Sequence, residues 1–188
     1  IYQKIMCGIV GIYLKTKKFE KNLGKMLSGM LNNMESRGPD SAGFAIYKNE
    51  KKDIFKYSLC INDLNFKKFK KEISNKIKKI QLSQHADHVI LKTPIEPKII
   101  IKIINEDFPK ISIVGYGNSI EIFKQVGNPK DVVKKFKLRD FSGTHGIGHT
   151  RMATESAITT DGSHPYSTGE DECLVHNGSL SNHNNLRR

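Results

Sequence analysis

The chain has 188 residues, 37% of them hydrophobic and none of them tryptophan. That length suits one domain that buries a single core without disulfides, and no run approaches the roughly eighteen apolar residues of a membrane span or the pattern of a secretory signal, so a cytoplasmic protein is expected. The net charge of +12 comes almost entirely from lysine, since arginine occurs only at 37, 139, 151, 187 and 188; nucleic-acid readers favour planar, bidentate Arg, so a solvated lysine surface is favoured over nucleic-acid binding, and docking on an acidic protein partner is about as plausible as the latter.

Residues 7–14 read as a short buried strand. Residues 20–35 carry apolar positions at Leu23, Met26, Leu27, Met30, Leu31 and Met34, a helical stripe that ends at "SRGPDSAG". Residues 42–48 and 53–60 read as a strand pair. A lysine-rich amphipathic helix is expected over 64–80. "HVILK", "KIIIKII", "ISIVG" and "SIEIFKQV" are predicted as strands from their β-branched content. Asn128-Pro129 opens a short helix to about Phe136. The block from about 62 to 140 is read as a basic insertion between two functional ends. "GTHGIGHTRMA" follows as a glycine-containing strand, then a polar loop to 171, then "ECLVHNG", a strand running into a tight turn. "NHNNLRR" reads as the opening of a helix whose apolar face is unfinished, so a longer parent protein is expected.

The unusual polar residues gather at the two ends. Cys7, Cys60 and Cys173 are far apart with no CxxC pair, which disfavours a disulfide framework or a zinc site. Cys60 and Cys173 read as small buried hydrophobes. Cys7 differs, because removal of Met6 would expose an α-amine able to serve as general base for its own thiol. "ESRGPDSAG" is either a helix-ending turn with Arg37 and Asp40 paired at the surface, or a loop in which both are buried beneath a site. In "GIGHTRMAT", Arg151 suits bidentate capture of a carboxylate, or else makes an ordinary ion pair. His164 precedes a proline in "GSHPY". "VHNGSLSN" is either a plain hairpin turn or a place where the Asn177 amide and the Gly178 N–H face one spot, as in an oxyanion hole.

Taken in order, the Cys7, RGPDSAG, GHTRMAT, HPY and HNG segments resemble the class II glutamine amidotransferases, which are N-terminal nucleophile hydrolases. The resemblance covers about 7–48 and 142–188, and the run from 148 onward looks most like the stand-alone amidotransferase subunit of glutamate-synthase-like complexes such as N-methylglutamate synthase. It implies an α+β fold, a four-layer αββα sandwich, C-terminally incomplete here. By analogy Cys7 attacks the side-chain amide of L-glutamine, Asn177 and Gly178 hold the oxyanion, and Arg151 binds the substrate α-carboxylate with help from Thr154. His164 shapes the site, while Arg37 and Asp40 are structural. The resemblance also implies ammonia transfer to a separate synthase subunit in a hetero-oligomer. FMN and an iron–sulfur cluster would belong to that partner, with no cofactor or metal in this chain. Met152 and Glu155-Ser156 depart from the family pattern in the glutamine pocket wall. The acidic motif for the substrate α-amine is expected beyond residue 188. Residues 1–5 are read as upstream sequence before a start at Met6, with residues 1–6 as a self-processed propeptide as the alternative. The rival functions are an inactive scaffold subunit that retains the fold, or a basic nucleic-acid-binding module.

Overall fold

The computed structural model describes residues 6–49, 53–62, 64–153 and 157–178. Strand β1 (Gly8–Tyr13) buries Gly8 and Val10 and exposes Ile9, the alternation expected of a strand with one covered face. Helix α1 (Leu23–Asn33) buries Leu23, Leu27 and Leu31, the i, i+4 stripe visible in the sequence. Strands β2 (Ser41–Tyr47) and β3 (Phe55–Cys60) follow, then helix α2 (Phe66–Lys76), whose Asn65 side chain accepts from the Lys68 N–H as an N-cap. Next come β4 (Gln81–His85), β5 (His88–Thr93), helix α3 (Pro97–Asp107), β6 (Ser112–Gly117), β7 (Ile120–Val126) and helix α4 (Pro129–Lys135). Strand β8 (His145–Arg151) and the short strands β9 (Tyr166–Gly169) and β10 (Glu172–Leu174) complete the described residues.

Three antiparallel sheets result, with strand orders β1-β8-β2-β7, β4-β5-β3-β6 and β10-β9. Helices α1 and α4 cover one face of the first sheet, where Leu27, Leu31, Phe44, Phe123, Val132 and Phe136 form a core. Helices α2 and α3 cover the second sheet through Phe69, Ile73, Ile100 and Ile104, packed against Tyr57, Leu59, Val89 and Leu91. A smaller cluster of Ala45, Cys60, Val114, Ile120 and Ile122 lies where the two sheets meet. The architecture is mixed α/β with antiparallel sheets, compatible with a sandwich. No helix among the described residues is long and apolar enough to cross a membrane.

The structure corrects one predicted element. "KIIIKII" is not a strand but lies in helix α3. Pro97 opens that helix, a position where its missing N–H costs nothing. Ile100 and Ile104 are buried one turn apart, whereas Ile99 is 46% exposed. Burial at i and i+4 overrides the β preference of isoleucine. Two strands lie in stretches not predicted to hold one: β4 is mostly polar and gains its order by pairing with β5, and β9 runs through the expected loop before 171. The 62–140 block is shared between the sheets. β7 pairs with β2 from Ser41↔Val126 to Tyr47↔Ile120, and α4 packs on the first sheet, while β3 to β6 and their helices build the second.

Candidate active site

Cys7 precedes β1, and the β1–β8 register sets Gly8 opposite Thr150, so the thiol falls at the end of β8. It is half-buried. Its sulfur accepts from the Met152 N–H at 3.4 Å and lies 3.7 Å from the Met152 carbonyl. From the other side, the Asn177 carboxamide donates to the Cys7 carbonyl oxygen at 2.8 Å, a contact across 170 residues of sequence. Asn177 is exposed, and Gly178 has φ of +148°, a backbone state that favours glycine.

The loop before β2 fixes the end of β8. The Asp40 carboxylate accepts from the Ala153 N–H at 2.7 Å, and the Asp40 N–H donates to the Arg151 carbonyl at 3.1 Å. Gly38 permits this approach, because a β-carbon there would lie 2.6 Å from the Arg151 nitrogen. Arg37 itself is exposed, which rules out the buried alternative for that residue. Asp40 is half-buried and bonds backbone, with no ion pair to Arg37 among the described residues.

Arg151 is 8% exposed, and its Nη1 donates to the Ala157 carbonyl at 3.3 Å. His164, whose peptide bond to Pro165 is cis, packs against His149 with ring centroids 4.1 Å apart and the rings tilted by 31°. Burial holds both rings neutral, lowering His149 to about 4 and His164 to about 3, with the Arg151 charge adding to each shift. Neutral His149 donates from Nε2 to the His176 carbonyl at 2.9 Å, which ties β8 to the Asn177-Gly178 turn. The structure thus brings Cys7, Asp40, Arg151, His164 and Asn177 into one region. Thr154 lies outside the described residues.

Two groups here were missed from sequence. The Met152 N–H is invisible to side-chain reasoning. His149 carried a signal that went unused: it lies two residues before Arg151 on the same strand, and strand alternation sets positions 149 and 151 on one face. Among the described residues, no group of three His, Cys, Asp or Glu side chains is placed to hold a metal ion.

The fold and this cluster define a mixed α/β protein whose half-buried thiol faces a backbone N–H and an Asn-Gly turn. No family model matches the chain. It is 46% identical over 186 residues to the glutamine amidotransferase-like protein GlxB of Rhizobium meliloti (strain 1021), covering 97% of this chain and 62% of that protein. It is 30% identical over 197 residues to a protein named as a candidate glutamine amidotransferase in Methanothermobacter thermautotrophicus, covering 97% of this chain and 64% of that one. An 81-residue stretch is 36% identical to the isomerizing glutamine–fructose-6-phosphate aminotransferase of Methanococcus maripaludis, covering 43% of this chain and 14% of that enzyme. The chain belongs to the class II glutamine amidotransferase family. It spans somewhat under two thirds of the length of the first two relatives.

Proposed function

We propose that this chain is the glutaminase part of an amidotransferase that hydrolyses L-glutamine to glutamate and passes ammonia to a synthase subunit. The observation that carries the reading is the meeting of the Cys7 thiol segment with the Asn177-Gly178 turn, closed by the 2.8 Å bond from Asn177 to the Cys7 carbonyl. Family membership supports it, and the antiparallel sheets are compatible with the αββα sandwich of N-terminal nucleophile hydrolases.

In this mechanism Met6 is removed and the freed α-amine of Cys7 takes the thiol proton. The thiolate forms a bond to the amide carbon of glutamine, and the carbonyl π electrons move onto oxygen. The Asn177 amide and the Gly178 N–H stabilise that oxyanion, with Asn177 turning from the Cys7 carbonyl to do so. The tetrahedral intermediate collapses, the C–N bond breaks, and the ammonium of Cys7 returns its proton to the departing ammonia. Water then attacks the thioester and releases glutamate and the thiol. Arg151 pairs with the substrate α-carboxylate, Thr154 assists, and neutral His164 forms a wall of the pocket. Asp40 holds the end of β8 and thereby the Met152 N–H, and Arg37 belongs to the same supporting loop. The ammonia acceptor is a glutamate-synthase-like partner that carries FMN and an iron–sulfur cluster.

The test is intact mass of the expressed protein before and after a diazo-ketone glutamine analogue. The expected result is a mature chain that starts at Cys7 and gains one label. A chain that keeps residues 1–6 and takes no label overturns the reading in favour of a scaffold that retains the fold.

A further inference from the structure

The far end of β2 borders a lysine-lined cavity. β2 runs from Ser41, beside the cluster just described, to Tyr47, and Lys48 follows it at the rim of a cavity of about 620 Å³. Seven residues of strand separate the two by roughly 20 Å. Among the described residues five lysines line this cavity: Lys48, Lys56 on β3, Lys78 and Lys79 between α2 and β4, and Lys92 on β5.

Their arrangement is costly for the fold alone. Lys56 and Lys92 are directly opposite each other in the β3–β5 register. Like charges at such a pair destabilise a sheet. Lys56 is only 7% exposed, so its desolvation adds to the cost, and burial together with Lys48 and Lys92 lowers its proton affinity. Among the described residues one buried carboxylate, Glu121, answers these charges. It binds Lys48 at 2.6 Å through one oxygen and faces Lys56 at 3.4 Å through the other. Lys56 completes its bonding on the Ser119 carbonyl at 3.0 Å. Lys78, Lys79 and Lys92 have no ion pair with any described residue.

We propose that this cavity binds a small phosphoryl-bearing anion, a compound with two or more adjacent negative phosphate oxygens. Ammonium groups act as point charges that suit phosphate oxygens, and Lys is the cation that the described lining supplies. The volume lies in the range of small-ligand sites. A single-stranded nucleic-acid groove would add aromatic stacking platforms, and the lining has none among the described residues. The proposal is independent of glutamine hydrolysis.

The experiment is calorimetric titration of the full chain with inorganic tripolyphosphate and with a nucleoside triphosphate, at about physiological ionic strength. Saturable one-to-one binding is expected. The triple variant K78Q/K79Q/K92Q, at exposed or half-exposed positions, should weaken it at least tenfold. A charge-matched control on α2, K67Q/K70Q/K71Q, should change it less than twofold. Tighter binding of the nucleoside triphosphate than of tripolyphosphate extends the site to the base, and equal binding restricts it to phosphate; both support the proposal. Equal losses in the two variants, no saturable binding of either probe, or tighter binding of an oligonucleotide or of polyglutamate would overturn it.

Discussion

His149 and His164 form a close, tilted pair of uncharged imidazoles beside a guanidinium, and this has a pH signature. An unfolded histidine titrates near 6.5. The folded rings titrate near 4 and near 3, so between these values the unfolded chain binds more protons than the native one. Stability held above pH 6.5 is therefore lost as pH falls towards 3, with a slope set by up to about one proton per ring. Denaturant unfolding between pH 7 and 4.5 should show this fall, and His149→Gln should flatten it. An unchanged slope in that variant would remove His149 from the account. Asn177 answers to a different readout. It is exposed and its one described bond is to Cys7, so Asn177→Ala should leave the fold standing. If it is an oxyanion donor, glutaminase kcat should drop about 10²–10³-fold, equivalent to about 3–4 kcal/mol of barrier. A changed KM with normal kcat would make Asn177 a binding residue only. The thiol's candidacy was legible because Cys7 follows a removable methionine. The Asp40 role was not, because its partner is a backbone N–H 113 residues away.

At the scale of elements, α3 shows where sequence reading stops. Its isoleucines are compatible with a strand by propensity, and only the tertiary environment separates the faces. The helix predicts unequal costs along the segment. Ile104→Ala should destabilise by about 2–4 kcal/mol because the site is fully buried, while Ile99→Lys should cost under about 0.5 kcal/mol. Equal costs at both positions in thermal or urea unfolding would contradict the helical face assignment. The β6–β7 hairpin has a polar anchor of the same kind of invisibility. Burial alone would raise Asp171, yet its carboxylate accepts the Ser119, Asn118 and Ile120 N–H groups at 2.8, 2.9 and 2.9 Å, and the Ser119 hydroxyl, which together lower its pKa. Nothing in "GEDEC" distinguishes Asp171 from the acids on either side. By contrast, α1 was legible because its stripe of Leu23, Leu27 and Leu31 is local and periodic. β9 was hidden by its polar composition, and the place of β7 beside β2 by sequence distance.

Across the whole molecule, β2 links two polar centres of opposite construction. At one end uncharged imidazoles and a thiol are held by backbone groups; at the other a buried carboxylate holds lysines together. Glu121 is the most consequential acid for that second centre. It is 2% exposed, and Lys56, 7% exposed, depends on it for charge balance. Removing one partner of a buried pair strands the other charge and typically costs about 3–5 kcal/mol. Glu121→Gln should therefore lower unfolding stability by that order at pH 7. The loss should not stay constant with pH. Burial, and then the Lys48 and Lys92 charges, already lower the Lys56 pKa, and loss of Glu121 lowers it further. A lysine whose folded pKa falls below the unfolded value near 10.4 makes the native state shed a proton that the unfolded chain keeps. Native stability then rises with pH over that interval, more steeply in the variant than in the parent. Urea midpoints at pH 7, 8.5 and 10 should show the deficit of Glu121→Gln narrowing as the pH climbs. A deficit that is the same at all three values would mean that the carboxylate acts by packing and hydrogen bonding, and that Lys56 keeps its proton without it.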